Sequence, residues 1–175
     1  QLVVTLSDPV DVNVSFDFTT ANGTAIDPDD YTGTSGSDIS FSHAAGAPLS
    51  QVISIPTIDE SLVELAEDLT VTISDLQPSD GSRDLSLGST AGTITIENND
   101  SATVTVSDVV ISEEAGTASL AVTLDNVVDA PVTVPFQTLD GTALQAFGDY
   151  TSLAGTLVFA PGETQQLVDV TVTDD

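Results

Sequence analysis

Cysteine, methionine, tryptophan and lysine are all missing from this 175-residue chain, and a single arginine, Arg83, stands against 28 acidic residues. Without thiols there is no disulfide framework, zinc knuckle or cysteine nucleophile. Rigidity must come from a packed core or from bound ions. The formal net charge of -27 excludes nucleic acid as a partner, because phosphate contacts need a basic surface. It also disfavours anionic membrane surfaces. No segment approaches the roughly 20 apolar residues of a membrane span, so direct membrane insertion is not expected, and none of these residues form a signal-peptide pattern. His43 is the sole histidine; with no second His or Cys it fits a solvated loop better than a triad or a transition-metal site. Aromatics make up 5% of the residues, and no carboxylate pair is set against an aromatic platform for sugar, so glycoside hydrolysis lacks support. An enzyme is the least favoured class.

What remains is Val, Thr, Ile, Ser, Asp and Gly, a composition suited to many short strands joined by turns. High net charge alone suggests disorder, yet 40% of the residues are hydrophobic and they fall in alternating runs. A surface this acidic resists aggregation, pushes the folded chain apart, and is best tolerated where salt or divalent cations screen or bind it.

The chain repeats itself. Thr20, Gly23, Thr24, Ala25, Asp30, Tyr31, Phe41, Gly46 and the pair Asp59-Glu60 recur in order as Thr138, Gly141, Thr142, Ala143, Asp149, Tyr150, Phe159, Gly162 and Asp174-Asp175. Upstream, Val4-Thr5-Leu6 matches Val122-Thr123-Leu124, and Phe18 matches Phe136. The offset is 118 at Thr20, 119 at Asp30 and 115 at Asp59, so only short loop insertions separate the copies. A period of about 118 residues is domain-sized. With a boundary near Asp100 and Ser101, the expected modules are 1–100, lacking its first strand, and 101–175, lacking its last strands. Opening mid-pattern on Gln1, the chain is expected to be an excerpt of a longer polypeptide.

Period-2 alternation predicts strands over 2–6, 12–18, 39–41, 51–58, 69–74, 93–96, 102–106, 109–111, 117–124, 131–137, 157–159 and 166–173. Asn22-Gly23 and Asp140-Gly141 read as hairpin-type turns with positive φ, and Pro161-Gly162 as a further turn. The acidic run from Asp59 to Asp68 fits either a helical turn or a loop. Asn22-Gly23-Thr24 formally fits a glycosylation acceptor, but the turn pattern of the repeat explains it better. Regularly spaced strands without helices predict an all-β chain of tandem, immunoglobulin-like antiparallel β-sandwiches, the second incomplete.

The run of DGTA at Asp140 to Ala143, DY at Asp149-Tyr150, Gly155-Thr156, Leu157, Phe159, PGE at Pro161 to Glu163 and the pair Asp174-Asp175 resembles the Calx-beta repeat. That repeat is known from the calcium-binding regulatory domains of sodium/calcium exchangers, from integrin beta-4 and from very large bacterial surface and adhesion proteins. The first copy is more diverged, with Asn22 for the Asp and no PGE, but carries an ExxE element as Glu64 and Glu67. The resemblance implies calcium held at one end of each sandwich. In the first copy it points to Asp30, Asp59, Glu60, Glu64 and Asp100, with Asn98 and Asn99 where an acidic run would stand. In the second it points to Glu113, Asp149, Asp174 and Asp175. Asn98 and Asn99 keep carbonyl oxygens but lose charge, which implies fewer ions or weaker binding.

The physical case stands beside the resemblance. Carboxylates drawn together from separate loops repel unless a cation joins them, and calcium accepts six to eight oxygens in flexible geometry. Most Asp and Glu are nevertheless solvated loop residues, which is also open for Glu113-Glu114. The function implied is a calcium-binding structural repeat of a large extracellular or cell-surface, adhesin-like protein, with calcium stiffening module and linker. Its partners would be calcium ions and neighbouring repeats or like subunits. The alternatives are a filament subunit, or a module that binds a carbohydrate or a protein receptor at the cell surface.

Overall fold

The computed structural model describes residues 1–174. By packing, these fall into two units, Gln1–Glu60 with Leu65–Glu97, and Ser61–Glu64 with the residues from Asn98 on. Both are antiparallel β-sandwiches, and apart from two single-turn 3-10 segments the described residues hold strands, turns and loops.

In the first unit the strands are β1 (Leu2–Thr5), β2 (Val14–Asn22), β3 (Ser35–Phe41), β4 (Ser50–Ile53), β5 (Glu67–Pro78) and β6 (Ala91–Ile96). One sheet has the order β3-β2-β5-β6, and the other pairs β1 with β4. Alternation explains which face is buried. Val14, Phe16 and Phe18 point inward from β2 at 0, 1 and 9% exposure, while Ser15 and Asp17 between them are less buried. Phe16 and Phe18 meet Phe41 of β3, Leu69 and Val71 of β5 and Ile53 of β4, with Leu2 and Val4 of β1 closing the other side. The rings of Phe16 and Phe41 are 5.7 Å apart and tilted by 35°, a favourable offset geometry.

The second unit repeats this plan. Its strands are β7 (Val104–Val106), β8 (Thr117–Leu124), β9 (Val132–Gln137), β10 (Ala154–Phe159) and β11 (Gln165–Thr171), in sheets of order β11-β8-β7 and β10-β9. The registers correspond. Leu2 faces Ile53 in the first copy, and Leu120 faces Val168 in the second. Phe159 is fully buried, as Phe41 is nearly so. Val132, Val134 and Phe136, the counterparts of Val14, Phe16 and Phe18, are only half-buried. The difference follows from pairing: β2 is flanked by β3 and β5, whereas among the described residues β9 pairs only with β10.

Some expectations need correction. Val109–Ile111 forms no strand; Val110 is 97% exposed, so apolar sequence here has no sheet partner to alternate against. Of the two readings left open for the 59–68 run, the loop is the one found, and β5 begins at Glu67. Asn22 ends β2, and Gly23 does not have positive φ. Its lack of a side chain serves close approach instead, because a Cβ there would lie 2.3 Å from the carbonyl oxygen of Asp68. Gly141, at the matching position, has nothing within 4 Å of such a Cβ. Residues 138–153 accordingly form a long connection between β9 and β10 rather than a two-residue hairpin. Gly162 does take positive φ, at 81°.

The contrast between the glycines makes a prediction. Gly23→Ala forces the turn away from backbone that cannot yield cheaply and should cost about 1–3 kcal/mol, as overpacking does. Gly141→Ala should stay within about 0.5 kcal/mol of the parent. Urea midpoints of the two variants measure the difference, and equal midpoints would refute it.

β2 is irregular on both sides. The β2–β3 register shifts between Phe16 and Phe18, and the β2–β5 register shifts between Ser15 and Asp17. Each partner strand carries one aspartate in the left-handed region, Asp38 at φ 55° and Asp75 at φ 51°. Aspartate tolerates that conformation better than most residues. The Asp38 N–H donates to Asp17 Oδ1 at 2.9 Å.

Far from the Asn22 end of β2, Arg83 closes the opposite pole of the first unit. Its guanidinium donates through Nε and the second terminal nitrogen to both oxygens of Asp11, each at 2.8 Å, and lies 3.2 Å from Asp80. The Arg83 hydrogen bond and charge hold the Asp11 carboxyl below its ordinary range. His43 sits at the same pole, exposed, with its backbone N–H donating to Asn13 Oδ1 at 3.0 Å.

Candidate metal centre

The loop leaving β2 at Asn22 and ending at Tyr31 is built by internal hydrogen bonds. Asn22 Oδ1 accepts from the Asp27 N–H at 3.1 Å and from the Tyr31 hydroxyl at 2.6 Å. Asp30 Oδ2 accepts from the Ile26 N–H at 2.6 Å. Ala25 and Tyr31 are buried beneath the loop and anchor it to the core. One oxygen of the Asp30 carboxylate is thereby committed to the backbone, which fixes the direction of the group.

Asp30 is brought to the acidic run by main-chain pairing. The Ile58 N–H donates to the Asp30 carbonyl at 2.9 Å, and the Thr32 N–H donates to the Pro56 carbonyl at 2.9 Å. The chain therefore delivers Asp59 and Glu60 immediately after it has bonded to Asp30. Carboxylate oxygens of Asp30, Glu60 and Glu64 lie within 4.8 Å of one another, with Glu60 exposed and the other two half-buried.

That spacing suits a cation. Two oxygens on opposite sides of one calcium, each at 2.3–2.6 Å, are about 4.6–5.2 Å apart. Like-charged carboxylates this close repel unless a cation joins them, each pair by about 1 kcal/mol at 4 Å in bulk water and about 4 kcal/mol at an effective dielectric constant of 20. The donors are all hard anionic oxygens, which favours calcium over zinc or copper.

The other acids named from the sequence lie as follows. Asp59 is adjacent to the trio in sequence but is not one of its three members. Asn98 and Asp100 form a local turn, in which the Asp100 N–H donates to Asn98 Oδ1 at 3.0 Å and the Asn98 amide donates to the Asp100 carbonyl at 3.1 Å. Asn99 between them is exposed. Glu113 opens the 3-10 turn Glu113–Ala115 and is exposed.

The second copy repeats the loop. Asp140 Oδ1 accepts from the Gln145 N–H at 2.9 Å and from the Tyr150 hydroxyl at 2.7 Å, and Asp149 Oδ2 accepts from the Leu144 N–H at 2.7 Å. The Gln145 N–H, with the Tyr150 hydroxyl second, lowers the Asp140 carboxyl from its ordinary value. The Thr173 N–H donates to the Asp149 carbonyl at 3.1 Å, which places Asp174 as Asp59 is placed. Asp175, counterpart of Glu60, lies outside the described residues. Among those residues the second copy brings no three carboxylates together.

Sequence reading missed the part played by Asn22 and Asp140. Its signal was the shared turn motif itself, in which an acceptor side chain always opens the loop that ends in Asp-Tyr.

Among solved structures, CBD12 from CALX1.2 aligns with a TM-score of 0.45 and 25% identity, over 99% of this chain and 67% of that one. The calcium binding domain CBD12 of CALX1.1 aligns with a TM-score of 0.46 and 25% identity, over 97% of this chain and 66% of that one. The chain thus spans about two thirds of their length. No curated protein matches it. The model of the Calx-beta domain matches residues 1–100 and again residues 95–175. Matched twice along its length, with the same strand registers and the same Asp-Tyr loop in each copy, the chain belongs to the Calx-beta family.

Proposed function

We propose that this chain is a tandem pair of calcium-binding Calx-beta modules, 1–100 and 101–175, acting as structural repeats of a large extracellular or cell-surface protein. Calcium holds each module and its linker rigid. The observation that carries the reading is the convergence of Asp30, Glu60 and Glu64 within 4.8 Å on a surface with 28 acidic residues and one arginine. In the first module Asp30, Glu60 and Glu64 are the ligands, with Asp59, Asp100 and the carbonyls of Asn98 and Asn99 completing or flanking the shell. In the second, Glu113, Asp149, Asp174 and Asp175 take those roles.

Calcium titration by calorimetry tests this directly. The parent should bind calcium and prefer it to magnesium, since the trio offers no tight octahedral cage. Replacing Asp30 and Glu60 together, Asp30→Asn with Glu60→Gln, should abolish binding at the first module. A parent chain that takes up no calcium at millimolar concentration would overturn the reading.

A further inference from the structure

We infer that the residue opening each loop, Asn22 in the first copy and Asp140 in the second, is a positioning residue for the cation site, acting through the tyrosine that follows the ligand aspartate. The inference rests on the calcium reading above and adds to it a residue that need not touch the ion.

Two independent loops carry the same construction. In each, one side-chain oxygen takes two hydrogen bonds, from a loop N–H (Asp27 or Gln145) and from a tyrosine hydroxyl (Tyr31 or Tyr150). The tyrosine is the immediate neighbour of Asp30 or Asp149. The aspartate in turn takes one loop N–H, from Ile26 or Leu144, on a single carboxylate oxygen. The second loop is one residue longer between these points and contains the turn Gln145–Phe147, yet all three bonds are preserved. Geometry kept across a length change identifies what the loop is built to hold.

The chemistry at the first position also separates the copies. Asn22 and Asp140 both accept through one oxygen, so an uncharged amide suffices for the clamp. A carboxylate makes the bonds charge-assisted and stronger. Alanine removes the acceptor and leaves the tyrosine hydroxyl and the loop N–H without their partner. Outer-shell partners of metal ligands commonly contribute 10–100-fold in affinity.

The test uses the whole chain, calcium alone as the probe, and the variants Asn22→Ala, Asn22→Asp and Tyr31→Phe. The chain has two tyrosines and no tryptophan, so tyrosine emission reports these two loops and nothing else. Asn22→Ala should weaken calcium binding by about 10-fold or more, and should alter tyrosine emission even in chelator. Asn22→Asp should retain most of the affinity, which a general loss of packing would not allow. Tyr31→Phe should fall between the parent and Asn22→Ala. Binding by Asn22→Ala within about twofold of the parent, well below the expected range, would overturn the positioning role and leave the calcium reading intact. A parent that binds no calcium would bring down both. Should Asn22→Ala fail to fold, Tyr31→Phe decides on the same twofold threshold.

Discussion

Removing calcium with a chelator should lower the melting temperature by about 10 °C or more relative to the protein in saturating calcium. A ligand that binds only the folded state at a hundred times its Kd contributes about 2.7 kcal/mol. Each kcal/mol moves the midpoint of a 60–100-residue domain by roughly 4–8 °C. The effect should be large here because calcium does two things at once: it bonds to Asp30, Glu60 and Glu64, and it relieves their mutual repulsion at 4.8 Å or less. Added potassium chloride separates the two contributions. Salt screens exposed charges over about 10 Å at 0.1 M, so it should recover part of the loss, whereas micromolar to millimolar calcium should recover all of it. Differential scanning calorimetry across the three conditions gives the answer. Coincident melting curves with chelator and with calcium would sink the idea, and full recovery by potassium chloride alone would reduce the site to ordinary charge screening.

The second large effect lies in the cores. Phe41→Ala should destabilise the first unit by about 3–5 kcal/mol, and Phe159→Ala the second by a similar amount, the usual cost of emptying a buried phenylalanine site. Both rings are at or below 1% exposure, and neither core has a methionine to flow into the gap. Phe147→Ala is the control. That ring is 74% exposed, and its loss should register within about 0.5 kcal/mol. Urea denaturation followed by circular dichroism is sufficient. A Phe41 variant as stable as the Phe147 variant would mean that the sandwich core is assigned to the wrong face of β3.

How much of the fold is legible in the sequence follows from which signals are local. Strand faces could be read because alternation is a property of adjacent residues: Val14, Phe16 and Phe18 are spaced by two and point one way. The tandem plan could be read because landmarks such as Phe41 and Phe159 recur at a fixed offset. Val109–Ile111 misled, since apolar side chains predict a strand only where a neighbour supplies hydrogen bonds, and no short-range pattern reports that neighbour. Gly23 misled for a related reason. Its requirement is set by the Asp68 carbonyl, 45 positions along the chain, while the positive-φ rule concerns the glycine alone. At the acidic apex the sequence supplied a longer roster than the trio. Which members converge depends on the pairing of Ile58 with Asp30, because one residue of slippage there would present Asp59 where Glu60 now stands. Asn22 and Asp140 were visible only as turn formers, since their partners are a tyrosine hydroxyl and a loop amide with no charge or periodicity to reveal them.

The paired irregularities around β2 carry a consequence for strand alignment. A plain antiparallel strand can dock two residues out of step and still bury its apolar face, because its sides alternate with a period of two. β2 is notched on both flanks, against Asp38 on one side and Asp75 on the other, and each notch fits at a single setting. A chain that zips up two places early must seat two aspartates opposite backbone with no gap for them. A slip of two residues therefore forfeits both notches, so the observed alignment is set apart from its neighbours by more than its apolar face.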